Sequence, residues 1–198
     1  MQINLNSINK IHLKDLIISF AHFKTLLFSK EKIENTTKRE QEKEGILILK
    51  NDLIGESVDI FYENSGRPYL KDEKKFISIS HSKTLVALGY GNYRIGIDVE
   101  ELDERVLRVR NKFLNEKEKN LFNEFDITAN TIAWTIKESL FKLNKETGID
   151  FKSELLILNE NFPQKSYNCL MKEDGKFKEV IVEIIKIENL ILAFNVKD

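Results

Sequence analysis

Apolar positions along the chain recur with two different periods. Leu13, Leu16, Ile17, Phe20, Phe23, Leu27 and Phe28 follow helical spacing and predict a first amphipathic helix with one core face. Lys, Glu and Thr dominate 28–44; Ile46, Leu47, Leu49, Leu53 and Ile54 then resume helical spacing, with Gly55 placed to close the element. From there the period drops to two. Val58 to Tyr62 and Phe76 to Ser80 read as strands on either side of the turn Asn64-Ser65-Gly66-Arg67-Pro68, and Leu85 to Leu88 and Ile95 to Val99 add two more. Helical spacing returns through Arg105 to Phe125 and Ala129 to Lys145, with Gly148 as the stop. Four strands close the chain: Leu155 to Leu158, Tyr167 to Met171, Val180 to Ile187 and Leu190 to Val196, with Asp174-Gly175 as a hairpin turn between two of them.

Helix followed by strands, twice over, predicts an α+β fold built as a pseudo-twofold pair of similar halves, 1–100 and 101–198, in one compact unit. No repeat is visible as sequence identity. Composition narrows the classes of partner. The 198 residues carry 31 Lys and Arg against 32 Asp and Glu, so no global basic field draws the protein to nucleic acid or to an anionic membrane. An anionic ligand must therefore meet a local patch. Cys169 is the single cysteine and cannot form an internal disulfide, and Met1 to Leu5 lacks the charged and apolar regions of a secretion signal. The expected compartment is the cytoplasm. No apolar run reaches the roughly 18 residues of a membrane-spanning helix.

Candidate chemistry starts at Ile95-Gly96-Ile97-Asp98-Val99-Glu100. Alternation sends Ile95, Ile97 and Val99 to a core and Gly96, Asp98 and Glu100 to the other face. Two carboxylates two residues apart lie roughly 7 Å apart at their Cα atoms, close enough for their side chains to converge on one cation. Magnesium suits such a pair, since it prefers hard oxygens, keeps several waters and is shared with substrate phosphates. By itself the spacing also describes a strand end with solvated acids. In the stretch Trp134 to Lys142, Ile132, Ala133, Ile136, Leu140 and Leu143 form the buried stripe, and Glu138 and Lys142 stand one turn apart on another face. They read either as an ordinary ion pair or as a carboxylate for metal beside an ammonium for phosphate. Ser78-Ile79-Ser80-His81-Ser82 ends a strand with donors suited to phosphate oxygens, and Gly66-Arg67-Pro68-Tyr69 is a rigid turn carrying an arginine. None of Arg67, His81 and Lys142 has an evident acid partner in the sequence.

Taken in order, Gly66-Arg67-Pro68-Tyr69, Ile79-Ser80-His81-Ser82, Gly96-Ile97-Asp98-Val99-Glu100 and the W-x-x-K-E-S-x-x-K stretch from Trp134 to Lys142 resemble the signature of the surfactin-synthetase-activating type of 4'-phosphopantetheinyl transferase. The resemblance covers roughly 60–145. It implies an enzyme that moves the phosphopantetheine arm of coenzyme A to a serine of an apo acyl- or peptidyl-carrier protein, with Mg²⁺ and coenzyme A bound between the halves. Asp98, Glu100 and Glu138 are then the metal ligands, and Glu138 and Lys142 the catalytic pair. Arg67, Ser80, His81, Asp98, Lys137 and Lys142 contact coenzyme A, and Lys30, Lys32, Lys38 and Arg39 lie where the family binds the 3'-phosphate. Two halves in one chain favour a monomer. The same carboxylates would also serve a metal-dependent phosphohydrolase, and a non-catalytic carrier-binding module is the remaining alternative. Arg105, Arg108 and Lys112, with Val109 and Phe113 on the neighbouring stripe, are expected to dock an acidic carrier helix.

Overall fold

Within the computed structural model, which describes residues 3–4, 6–27, 36–71 and 74–197, the chain forms two compact units, Met1–Ile95 and Gly96–Asp198. Phe28, Lys30 and Lys32 lie outside the described residues. Both units combine helices with antiparallel sheet, so the α+β class holds.

The first unit opens on strands where helical spacing predicts a helix. β1 (Asn9–His12) and β2 (Leu16–His22) pair antiparallel, and only Phe23–Leu27 is helical (α1). Leu16, Ile18 and Phe20 also alternate, and both faces of β2 are covered: Ser19 and Ala21 are as buried as Ile18. A strand buried on both sides carries apolar residues at successive positions, which counterfeit helical spacing over one or two turns. α2 (Lys38–Ile54) starts at a capping box, in which Thr37 and Glu40 satisfy each other's backbone N–H groups, and stops at Gly55 with φ of 96°. A cap of this kind contributes about 1 kcal/mol, which helps explain why the helix begins inside the charged run. β3 (Ile60–Tyr62) and β4 (Pro68–Leu70) form a separate hairpin. β5 (Phe76–His81) and β6 (Leu85–Gly91) complete a sheet of order β1-β2-β6-β5. Phe23, Leu49, Val86 and Leu88 join α1, α2 and the sheet in one core.

The second unit is a five-stranded antiparallel sheet carrying its longest helix. β7 (Ile97–Glu101) leads into α3 (Arg105–Phe113), α4 (Glu116–Lys119) and α5 (Ile127–Leu143). β8 (Leu155–Asn161), β9 (Ser166–Glu173), β10 (Lys176–Ile187) and β11 (Leu190–Val196) follow, in the order β7-β11-β10-β9-β8. The stretch expected as one helix from Arg105 is broken at Leu114, where Asn115 caps the N-terminus of α4. α5 ends earlier than Lys145 because Asn144 is fully buried and donates to the Lys172 carbonyl at 2.7 Å. Asp174 and Gly175 both have positive φ, 53° and 72°, as the tight hairpin turn requires. Ile136, Leu140, Leu143, Leu155, Val182 and Ile191 form part of the core between α5 and the sheet. Each such side chain, fully buried, contributes about 1.5–3 kcal/mol.

Candidate active site

In the second unit a glycine lets helix and strand meet at backbone distance. A Cβ on Gly96 would fall 2.0 Å from the Ser139 carbonyl oxygen and 2.7 Å from the Leu143 nitrogen. Only a residue without a side chain lets α5 lie there, one residue before β7. The register Asp98↔Ala193 and Glu100↔Ile191 places both acids beside neighbours that belong to the core under α5. On α5, Trp134, Glu138 and Lys142 are spaced by four and share a face.

Three carboxylates and one ammonium therefore assemble. Lys142 Nζ lies 2.7 Å from Asp98 Oδ1, and Asp98 is 4% exposed. The indole N–H of Trp134 donates to Glu100 Oε1 at 2.9 Å. Burial, then the charge of Asp98, raises the Glu100 carboxyl above the ordinary range against the opposing pull of Trp134 and Lys142. The same causes act more strongly on Glu138. Burial, Asp98 and Glu100 push its carboxyl up to about 7 while Lys142 pulls it down. Mutual repulsion of this kind is relieved by a proton or by a bound cation. Among the described residues, no group of three or more His, Cys, Asp or Glu side chains forms a ready cage for an ion. The donor chemistry is nonetheless that of a hard cation, for which one or two carboxylates with waters and substrate phosphates suffice.

Other residues singled out by sequence belong to the first unit. Arg67, half-buried, sits on the β3–β4 turn, and Ser80 and His81 end β5, all in the first unit. His81 Nδ1 is 3.3 Å from Glu42 Oε1, so His81 and Lys142 both have acid partners, contrary to expectation. These partners come from 39 and 44 residues away in the chain, beyond the reach of local pattern. Ser82 accepts from the backbone N–H of Thr84 and Leu85, which makes it a turn residue. Lys38 and Arg39 stand exposed at the start of α2, with Lys38 3.6 Å from Glu42.

Lys137 requires a correction. Its side chain has no exposure, and its ammonium donates to Glu118, to the Phe151 carbonyl at 2.8 Å and to the Leu155 carbonyl. All three donors are engaged, which leaves none for a phosphate of coenzyme A. Burial lowers its pKa while Glu118 opposes the shift. Phe113 is corrected too: it is 1% exposed and meets Trp134 edge-on at 5.0 Å, so it is not part of an exposed stripe. Local pattern also left three contributors unassigned: Gly96 as the seat of α5, Glu118, and Trp134 as the donor to Glu100. The spacing of four from Trp134 through Glu138 to Lys142 was the available signal for the last.

Comparison with known proteins gives two findings. The model of the 4'-phosphopantetheinyl transferase superfamily matches residues 94–194, more than half of the chain and including β7 and α5. A protein of Aneurinibacillus migulanus named 4'-phosphopantetheinyl transferase gsp is 30% identical over 88 residues. The matched stretch covers 42% of this chain and 37% of that relative's length.

Proposed function

The chain belongs to the 4'-phosphopantetheinyl transferase superfamily, and on that premise we propose that it transfers the 4'-phosphopantetheine group of coenzyme A to a serine of an apo acyl- or peptidyl-carrier protein, releasing 3',5'-ADP. The observation that carries this reading is the carboxylate cluster, in which burial, then Asp98 and Glu100, raise Glu138 to about 7 beside the Lys142 ammonium. Asp98, Glu100 and Glu138 would hold Mg²⁺, whose chemical contribution is to neutralise charge on the pyrophosphate oxygens.

The side chains divide the remaining work. In the reaction a bond forms between the serine oxygen and the phosphorus nearest pantetheine, and the bond from that phosphorus to the bridging oxygen breaks. 3',5'-ADP leaves with the electron pair, so negative charge grows on the diphosphate oxygens. Lys142, whose side chain is 28% exposed and paired with Asp98, would offset that charge. Glu138 takes the serine proton. Trp134 holds Glu100 in orientation by its 2.9 Å hydrogen bond. Arg67, Ser80 and His81 supply donors for the nucleotide end of coenzyme A.

The test is an intact-mass measurement of an apo-carrier incubated with the protein, coenzyme A and Mg²⁺. Conversion to holo-carrier, lost on chelation and lost in Asp98→Ala and Glu138→Ala with the fold intact, is the expected result. Release of phosphopantetheine without carrier modification would make the protein a phosphohydrolase. Metal-independent carrier binding without chemistry would make it a docking module.

A further inference from the structure

One buried ion pair takes no part in the chemistry above, although it lies one residue from Glu138. Lys137 is fully buried and Glu118 is 1% exposed. Glu118 Oε1 accepts from Lys137 and from the Ile157 N–H at 2.8 Å, while Oε2 accepts from the Asn115 N–H at 2.9 Å and closes the α4 capping box. Lys137 also donates to the carbonyls of Phe151 and Leu155. A single pair thereby ties α5 to α4, to the turn before β8 and to the start of β8.

Stability alone is a weak reason to keep such a pair, because taking two charges out of water offsets much of their attraction. Geometry is a better one. Apolar neighbours such as Ile136 and Leu140 tolerate small rotations of a helix, whereas three N–H donors aimed at three fixed acceptors do not. A rotation of about 20° about the axis of α5 would carry a side-chain tip roughly 2 Å sideways. A displacement of about 1 Å at a reacting group can cost on the order of 100-fold in rate.

We propose that Lys137, through Glu118, is a positioning residue that sets the rotation of α5 and so aims Glu138 at Asp98 and Glu100, and that it does not bind coenzyme A. This rests on the reading of Glu138 as a participant in transfer. A double-mutant cycle of K137M, E118Q and K137M/E118Q tests it, with kcat and KM for coenzyme A, the Kd for coenzyme A by calorimetry, Tm, and the emission of Trp134, the chain's single tryptophan. Trp134 rides on the same helix face as Glu138 and touches Glu100, so its emission reports rotation of α5 without reference to activity.

E118Q alone leaves a buried ammonium without its carboxylate and should lower Tm by roughly 10 °C. The double variant should regain most of that loss. Its kcat should stay at least tenfold below wild type, no lower than that of K137M, with KM and Kd for coenzyme A held within about twofold and the Trp134 emission maximum shifted. A folded double variant with wild-type emission overturns the proposal. So does a tenfold weaker Kd for coenzyme A at unchanged kcat, which would make Lys137 a ligand. If the wild type makes no holo-carrier, the functional reading fails, and the emission of the folded double variant still decides whether the pair positions α5.

Discussion

Glu138 owes its proton affinity first to burial and then to Asp98 and Glu100, two acids that a strand holds beside it. Its folded pKa of about 7 stands above the ordinary 4.5, so between those values the folded state binds the proton more tightly than the unfolded chain. The stability it contributes is therefore full below about pH 4.5 and is lost as pH rises to about 7, by at most about 3 kcal/mol. Glu100, also raised, acts in the same direction. Glu138→Gln removes the repelling charge and keeps the shape. Without divalent cations it should melt higher than wild type at pH 8, match it near pH 4.5, and lose transfer entirely. Thermal scans across that range check the sign, and a wild type more stable than the variant at pH 8 would mean that the cluster does not repel. At this scale the sequence was informative wherever a partner follows from local geometry: Asp98 and Glu100 share a face by strand alternation, Glu138 and Lys142 by helical spacing. Lys137 was illegible. It sits inside the same motif as Glu138, but what removes it from the phosphate chemistry is Glu118, 19 residues earlier, and the burial of both.

The element that matters most to the site is α5, and its seat is a glycine. Gly96 is not among the residues of positive φ, so the backbone angle does not demand glycine there. Space does, since a methyl group would overlap the Ser139 carbonyl at 2.0 Å. The obstacle is helix backbone, which cannot rotate away as a side chain could. Gly96→Ala should therefore lift α5 from the strand, costing about 1–3 kcal/mol in stability and at least tenfold in kcat. Far-ultraviolet circular dichroism should stay near wild type, and the Trp134 signal should change. Full activity in the folded variant would show that the helix is held from elsewhere. Element type was readable from period over most of the chain, including β5, β6, β10 and β11, and failed where burial is two-sided. β2 shows why: with both faces covered, its alternation vanished into a continuous apolar run. The break after α3 was missed for a different reason, because the stop is a capping asparagine, Asn115, inside a run that remains helical in composition.

At the scale of the whole molecule the proposed transfer raises the question of how a chain with formal net charge −1 would attract an acidic carrier. Global steering is absent, so attraction has to come from a patch. α3 provides one in altered form. Arg105 is held by Asp103 at 2.7 Å, and Arg110 is buried with its guanidinium on Asn130 and the Phe122 carbonyl. Arg108 and Lys112 remain exposed. Beside Arg108 the exposed apolar side chain is Phe125, 81% exposed, and not Phe113, which is buried. Leu107, Arg108, Lys119 and Phe125 border a groove of about 510 Å³ that Glu124 also lines, and Lys119 is paired with Glu116 at 2.7 Å, which leaves Arg108 as its main cation. Cations beside an exposed aromatic suit an acidic amphipathic helix, in which long-range attraction raises the rate of encounter and apolar contact then holds the complex. Charge reversal at Arg108 and Lys112 should raise KM for apo-carrier at least tenfold at low salt and progressively less as salt shortens the range of the field. Phe125→Ala should weaken carrier binding at every salt concentration, chiefly through dissociation. Neither change should move the Kd for coenzyme A. If carrier kinetics at low salt are the same in the charge-reversed protein, the carrier docks on another surface.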